Sequence, residues 1–432
     1  MQNTTKQAII DYLTDKSLLI LGYGREGKSA LQFIQQNLPT ATVAVADQAT
    51  IDLPGVRTIS GPDYLQAVND YDLVIKSPGV VIEDALSTEQ KQKLTSITDL
   101  FLRFCPNSII GITGTKGKST TASLTYHILK TCGKNALLVG NIGKPCFDVL
   151  DEIAPDSIIV FELSCHQLEF VQASPHIAIL LNLYEEHLDH YINAEAYYTA
   201  KKNIYAHQTA ADFLIYGDIF QHASRSEIDY LPMHKVDLYH DMHIEPQEVH
   251  TSLLGEHNMY DIFAATAACE AVGLDRQDIL AAVASFHGLP HRLEFIGNYH
   301  QINFYNDSIA TAQEATINGI KALSNVDTVI LGGMDRGLDY HPLVDFLRSS
   351  TVRNVLLLPN TEQSFQRIFN EAPFSQNLRF AKDLDEAVKL SYQLTAEGHS
   401  CLLSPAAASY GFYKNFEARG DHFRQLVQKY AK

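Results

Sequence analysis

The stretch Gly111-Ile112-Thr113-Gly114-Thr115-Lys116-Gly117-Lys118-Ser119-Thr120-Thr121 decides how the chain is read. An apolar run ending in Ile109 and Ile110 precedes it, and a helix-like stretch from Ala122 to Lys130 follows. Strand, glycine loop and helix in that order is the setting of a phosphate cradle. Backbone N–H groups of the loop and of the helix N-terminus point at an anion, and glycines let the backbone come close to it. Within this loop Gly114, Thr115, Lys116, Gly117, Lys118, Ser119 and Thr120 are the expected ATP contacts. Lys118 reaches the outer phosphates and Ser119 holds Mg²⁺. The general pattern would put a leading glycine at position 112, where this chain has Ile112.

Upstream, Leu18-Leu19-Ile20-Leu21 runs into Gly22-Tyr23-Gly24-Arg25-Glu26-Gly27 and then a helical pattern through Phe33. A second strand, Ala41 to Ala46, ends at Asp47, about twenty residues beyond the last glycine. This is the dinucleotide pattern, with an acid placed for a ribose hydroxyl. A third strand, Leu73 to Ile75, ends in Ser77-Pro78-Gly79. The first domain boundary is expected near residue 97.

Downstream of the loop, apolar runs end one after another in polar residues. Ala136 to Val139 ends at Gly140-Asn141, Ile158 to Phe161 at Glu162-Leu163-Ser164, and Ile177 to Leu183 at Tyr184-Glu185-Glu186-His187. Continuous apolar runs separated by helical stretches predict a parallel sheet buried on both faces, with ligands at its strand C-termini. Asn141, Glu162 and His187 should therefore share an edge with the phosphate loop. Glu162 is the acid expected opposite such a loop, ordering Mg²⁺. The chain has 18 histidines, and the pair Lys201-Lys202 on a helical stretch reads, taken alone, as a solvated face. Gly288-Leu289-Pro290-His291-Arg292 makes a hinge, and the second boundary is expected near residue 290. The last third is α/β again, with strands ending in Asn306–Thr311, Gly332–Gly337 and Ser404–Ser409. The fold class is thus α/β in three domains: an N-terminal Rossmann-like domain over 1–97, a central P-loop mononucleotide-binding parallel sheet over 98–290, and a C-terminal Rossmann-like domain over 291–432.

Composition narrows the functions open to the chain. At 432 residues it is too long for one ordinary core. Hydrophobic and charged contents of 46% and 19% are those of a globular protein. A net charge of −17 without any basic block argues against nucleic acid or an anionic membrane as partner. Six scattered cysteines form no ligand-like cluster and read as reduced thiols of a cytoplasmic protein. The polar stretch Met1 to Lys16 is no signal peptide, and no apolar run reaches membrane-spanning length.

Taken together, these segments resemble the Mur ligase family over essentially the whole chain. The segments that carry the resemblance are Thr113–Thr121, Gly140-Asn141-Ile142-Gly143, Glu162-Leu163-Ser164, Glu186-His187-Leu188-Asp189, Ala200-Lys201, Gly255–Asn258, Gly288–Arg292, Asn306–Thr311 and Ser404–Gly420. The Mur-type loop reads Thr-Gly-x-x-Gly-Lys-Ser/Thr, so Ile112 is in pattern there. The resemblance implies an ATP-dependent ligase that adds D-glutamate to UDP-N-acetylmuramoyl-L-alanine through an acyl phosphate, in peptidoglycan synthesis. L-Glutamate or another amino acid is the alternative acceptor.

It further implies two Mg²⁺ ions held by Ser119, Glu162, His187 and a carbamylated Lys201, with Lys118, Lys201, His187 and Glu162 as the catalytic set. Asn258, Arg292 and Asp307 would serve ATP. Gly24, Arg25, Asp47, Gly79, Asn141 and His187 would serve the UDP-sugar. Thr311, Arg336, Ser409 and Phe416 would serve glutamate, where an arginine's planar fork suits a carboxylate. A monomer with only small-molecule partners is expected. Three positions depart from the family pattern: Ile309 replaces a lysine, Arg336 stands where the lysine that meets glutamate's carboxylate is usual, and Asp261 replaces an asparagine.

Overall fold

A computed structural model describes residues 4–82, 85–184, 190–219, 223–241, 249–255, 257–337 and 339–432. The chain divides into two compact units, Met1–His250 with Glu256–Phe286, and Thr251–Gly255 with His287–Lys432.

The first unit holds two parallel sheets. One is built from β1 (Leu18–Leu21), β2 (Val43–Asp47), β3 (Arg57–Ser60), β4 (Leu73–Lys76) and β5 (Leu94–Thr95), in the order β3-β2-β1-β4-β5. The other comprises β6 (Ile109–Thr113), β7 (Ala136–Gly140), β8 (Ile158–Glu162), β9 (Ile177–Asn182), β10 (Phe213–Asp218) and β11 (His234–Asp237), in the order β11-β10-β9-β6-β8-β7. β6 and β8 are buried along their whole length, as their unbroken apolar runs require. The winding reverses at β6, with β8 and β7 on one side and β9 to β11 on the other. The phosphate loop leaves the C-terminal end of β6, the switch point at which such sheets bind ligands.

These two sheets share one hydrophobic core. The helix Ile97–Phe104 starts at the residue expected to mark the first boundary. Ser96 caps it, accepting from Asp99 N at 3.0 Å. Its Ile97, Leu100 and Phe101 lie in one buried cluster with Ile20 and Ile75 of the first sheet and Ile159 and Phe161 of the second. Phe101 meets Phe161 edge to face at 5.7 Å between ring centroids. Next to this core Lys76, at the end of β4, pairs with Glu169 at 2.9 Å, and His190 Nε2 stands 2.7 Å from the other oxygen of Glu169. Lys76 and Glu169 are 3% and 10% exposed, so this pair ties the sheets together out of reach of solvent screening.

The second unit carries β12 (Glu294–Tyr299), β13 (Ile302–Asn306), β14 (Val326–Leu331), β15 (Asn354–Leu357), β16 (Asn377–Phe380) and β17 (Ser400–Leu403), in the order β12-β13-β17-β14-β15-β16. It is parallel except for β12, which pairs antiparallel with β13 across a register shift between Phe295 and Gly297. The neighbouring strands β13, β17 and β14 place their three C-terminal turns side by side. All six cysteines are free. Among the described residues no helix is long and apolar enough to cross a membrane.

Candidate active site

The phosphate loop is shaped by its glycines and held by a polar ring. Gly117 has φ +87, and a Cβ there would come within 2.3 Å of Asp261 Oδ1. Only glycine combines that left-handed backbone with so close an approach. Ile112 is fully buried within β6, paired with Glu162 and Ile179, so the loop itself starts at Gly114. The loop is pinned by Asn182, whose Oδ1 accepts from Lys116 N at 2.9 Å. The Thr115 hydroxyl lies 2.9 Å from the Tyr197 hydroxyl and accepts from Tyr184 N at 2.9 Å. Lys118 Nζ folds back to donate to Gly114 O and Thr115 O, each at 2.9 Å. Ser119 is half-buried in the first turn of the helix Lys118–Thr131, and Thr120 is buried behind it.

Lys201 is not on a solvated face. It is 1% exposed, near the end of the helix Ala194–Lys202, and its Nζ donates to Gly114 O at 2.8 Å. The same ammonium lies 4.9 Å from the centre of the Tyr197 ring. Glu162, at the end of β8, is fully buried. Its Oε1 accepts from Asn141 Nδ2 at 2.9 Å, and its Oε2 is buried without a hydrogen-bond partner among the described residues. An orphaned carboxylate oxygen is costly. A divalent cation would satisfy it, so this position fits the Mg²⁺ role. His187 lies outside the described residues, and among those described no group of three or more His, Cys, Asp or Glu gathers as a metal cluster.

The glycine turn after β1 faces the same region. Gly27 packs so tightly that a Cβ would sit 2.1 Å from Gly22 O. Asp47 accepts from Tyr23 N at 2.7 Å, so one of its oxygens fixes the turn. A Cβ on Gly24 or Gly79 would meet nothing within 4 Å, which leaves both turns open. Arg25 reaches across to donate to Asn141 O at 3.2 Å and also to Gly143 O. Arg25, Asn141 and Glu162 therefore form a continuous chain from the first sheet to the second. Beside it, burial lifts the Glu26 carboxyl to about 7, against a 2.6 Å bond from Gln167 Nε2 that pulls the other way.

In the second unit the three turns are bonded to one another. Gly332 N donates to Pro405 O and Met334 N to Ala408 O, both at 2.8 Å. Arg336 Nη2 lies 3.4 Å from Thr311 O. Ser308 Oγ donates to Phe416 O at 2.8 Å. Thr311, Arg336 and Ser409 thus stand on turns that converge, and Phe416 opens the helix bonded to the first of them. Asp307 is 5% exposed and accepts from Ser404 Oγ at 2.8 Å, while burial lifts its carboxyl to about 7. Arg292 is exposed in this unit, and Asn258 is half-buried in the first.

Known proteins place this architecture. Residues 112–269 match the Mur ligase middle domain family. The chain is 32% identical to the UDP-N-acetylmuramoylalanine–D-glutamate ligase of Geobacillus kaustophilus, over 96% of its own length and 98% of that protein's. The chain belongs to the Mur ligase family. It is 30% identical to the enzyme of the same name from Listeria innocua, over 97% and 98% of the two lengths. Among solved structures, UDP-N-acetylmuramate-alanine ligase of Thermotoga maritima shares the fold, with a TM-score of 0.60 at 17% identity, covering 96% of this chain and all of that one.

Within this Mur ligase the departures from pattern acquire positions. Asp261 lies against the phosphate loop and accepts from Thr121 Oγ1 at 3.0 Å. Ile309 is half-buried and its N–H donates to His291 O at 3.2 Å, so the backbone at this position keeps a structural task without a lysine side chain. Arg336 is exposed beside Thr311, with its charge open to a ligand. Sequence reasoning overlooked Asn182, although it ends an apolar strand just as Glu162 does. It also overlooked Tyr197 and Gln167, whose roles arise from packing between distant segments and leave no local signal.

Proposed function

We propose that this Mur ligase joins D-glutamate to UDP-N-acetylmuramoyl-L-alanine at the expense of ATP, in the cytoplasm, as a step of peptidoglycan synthesis. The substrate carboxylate oxygen attacks the γ-phosphorus of ATP, the bond to the β,γ-bridging oxygen breaks, and ADP leaves. The acceptor's uncharged amine then attacks the acyl phosphate carbon. The tetrahedral intermediate gives up a proton and expels phosphate as the amide forms. Phosphoryl transfer depends on placement and charge neutralisation more than on covalent help.

The observation that carries the reading is Glu162: a fully buried acid at the strand end adjoining the phosphate loop, one oxygen fixed by Asn141 and the other without a partner. Gly114, Thr115, Lys116, Gly117, Lys118, Ser119 and Thr120 take the triphosphate. Ser119 and Glu162 take one Mg²⁺, and His187 with Lys201 a second. Bound Mg²⁺ would neutralise charge on the transferring phosphoryl group. Gly24, Arg25, Asp47, Gly79, Asn141 and His187 serve the UDP-sugar; Asn258, Arg292 and Asp307 serve the nucleoside; Thr311, Arg336, Ser409 and Phe416 serve glutamate. Lys201 acts as its carbamate, formed when its neutral amine adds CO₂ and releases a proton. That group keeps one N–H, enough for the bond to Gly114 O, and turns a cation into an anion.

The test is phosphate release with single omissions. Release is expected only when the UDP-sugar-alanine, ATP, Mg²⁺ and D-glutamate are all present. An amino-acid panel that favours L-glutamate or another acceptor would overturn the acceptor and leave the ligase reading in place.

A further inference from the structure

Arg419 is among the most deeply buried large side chains of the chain, 1% exposed. It lies in the first turn of the helix Phe416–Tyr430, whose N-terminus Asn415 caps. All three guanidinium nitrogens donate. Nε reaches Ser308 Oγ at 3.0 Å, Nη2 reaches Ser308 O at 2.8 Å, and Nη1 reaches Ala407 O at 3.1 Å. Every acceptor is neutral, and among the described residues no carboxylate pairs with it. Burial draws its ordinarily high pKa down to about 10, still well above neutrality.

An unpaired buried cation is expensive to keep, so its position matters. Ser308 lies on the turn after β13, between Asp307 and Thr311. Ala407 lies on the turn after β17, two residues before Ser409. The third turn is within reach too, since a Cβ on Gly333 would come 3.0 Å from Arg419 Nη1. One planar fork thus underlies all three strand ends that carry Thr311, Arg336 and Ser409. Ser308 Oγ, which accepts from Arg419, passes the constraint on to Phe416 O at 2.8 Å. Among the described residues the positive charge beneath these turns has no counter-charge, and the ligand assigned to them is an anion.

We propose that Arg419 is the positioning residue of the amino-acid pocket: it fixes the Ser308 and Ala407 turns in register and biases the pocket toward an anionic acceptor. This rests on the assignment of these turns to the acceptor amino acid. Arg419 need not touch the substrate; it acts through Thr311, Ser409 and Phe416.

The test compares Michaelis constants for glutamate, ATP and the UDP-sugar-alanine in the wild type, Arg419→Lys and Arg419→Gln, with melting temperatures alongside. Arg419→Gln is expected to raise the glutamate KM by about ten- to a hundredfold, the worth of one charge-assisted bond network. The other two constants should move by less than about twofold. Arg419→Lys, which keeps the charge, should recover part of the loss. Ser308→Ala serves if neither Arg419 variant folds, and should raise the glutamate KM selectively by a smaller factor. A glutamate KM that stays put, or three constants that rise together, overturns the proposal. A wild-type enzyme with no glutamate-dependent turnover would instead overturn the acceptor assignment. The comparison is then repeated with whichever amino acid the panel selects, and the same selectivity is required.

Discussion

Lys118 and Lys201, 83 positions apart in the chain, donate to the same carbonyl, Gly114 O, at 2.9 and 2.8 Å. Their two ammonium groups therefore stand within about 6 Å of each other, where like charges repel by a few kcal/mol at the effective dielectric of a partly buried site. A carbamate on Lys201 would replace that repulsion with attraction. Lys201→Ala is expected to lose most activity and to regain part of it with formate or acetate, as read from phosphate release. Full activity of Lys201→Ala without added acid would remove the carbamate from the mechanism.

Lys118→Ala should be a clean functional lesion. Its Nζ donates within its own loop, and the melting temperature is expected to change little. Turnover should fall about a thousandfold or more, since the charge that offsets the γ-phosphoryl group is gone. Single-turnover kinetics would separate this from weakened ATP binding.

Glu162→Gln tests the orphaned oxygen. The amide can still accept from Asn141 but carries no charge for a cation. The Mg²⁺ concentration needed for half-maximal rate should rise about tenfold or more, with kcat reduced even at saturation. An unchanged Mg²⁺ profile would place the ion elsewhere.

Glu26 makes stability depend on pH in a definite direction. The unfolded chain releases this proton near 4.5, the folded chain near 7. Between those values the native state holds the extra proton, so its contribution is full below about 4.5 and declines as pH rises through 7. Asp307 acts with the same sign, from an ordinary value of 3.8. Glu26→Gln should therefore flatten part of the fall in melting temperature between pH 5 and pH 8. An unaltered slope would show that Glu26 titrates normally.

Gly117→Ala addresses the loop's backbone. A left-handed φ costs a side-chain-bearing residue about 1–2 kcal/mol, and the clash with Asp261 adds to it. Urea denaturation should show a loss of about 2 kcal/mol or more, accompanied by weaker ATP binding.

The site was legible where chemistry follows strand ends. Asn141 and Glu162 were expected to share an edge with the loop, and they are bonded to each other. Lys201 could be assigned only by resemblance, because a lysine pair on a helix gives no sign that one member is buried against Tyr197. The antiparallel β12 was equally hidden: its half-buried, glycine-interrupted run has the same alternation in either direction. Arg419 left no trace, since a buried arginine and a surface one are spelled alike.

The continuous core beneath the first two sheets has a consequence for how this chain can be divided. A fragment ending near residue 97 would strip Leu100, Phe101 and Phe161 from the underside of the first sheet and leave Lys76 without Glu169. Such a fragment should aggregate or melt broadly when expressed alone. The first sheet is not a cassette that recombination could swap between ligases at that border; its inheritance is bound to that of the sheet that carries the phosphate loop.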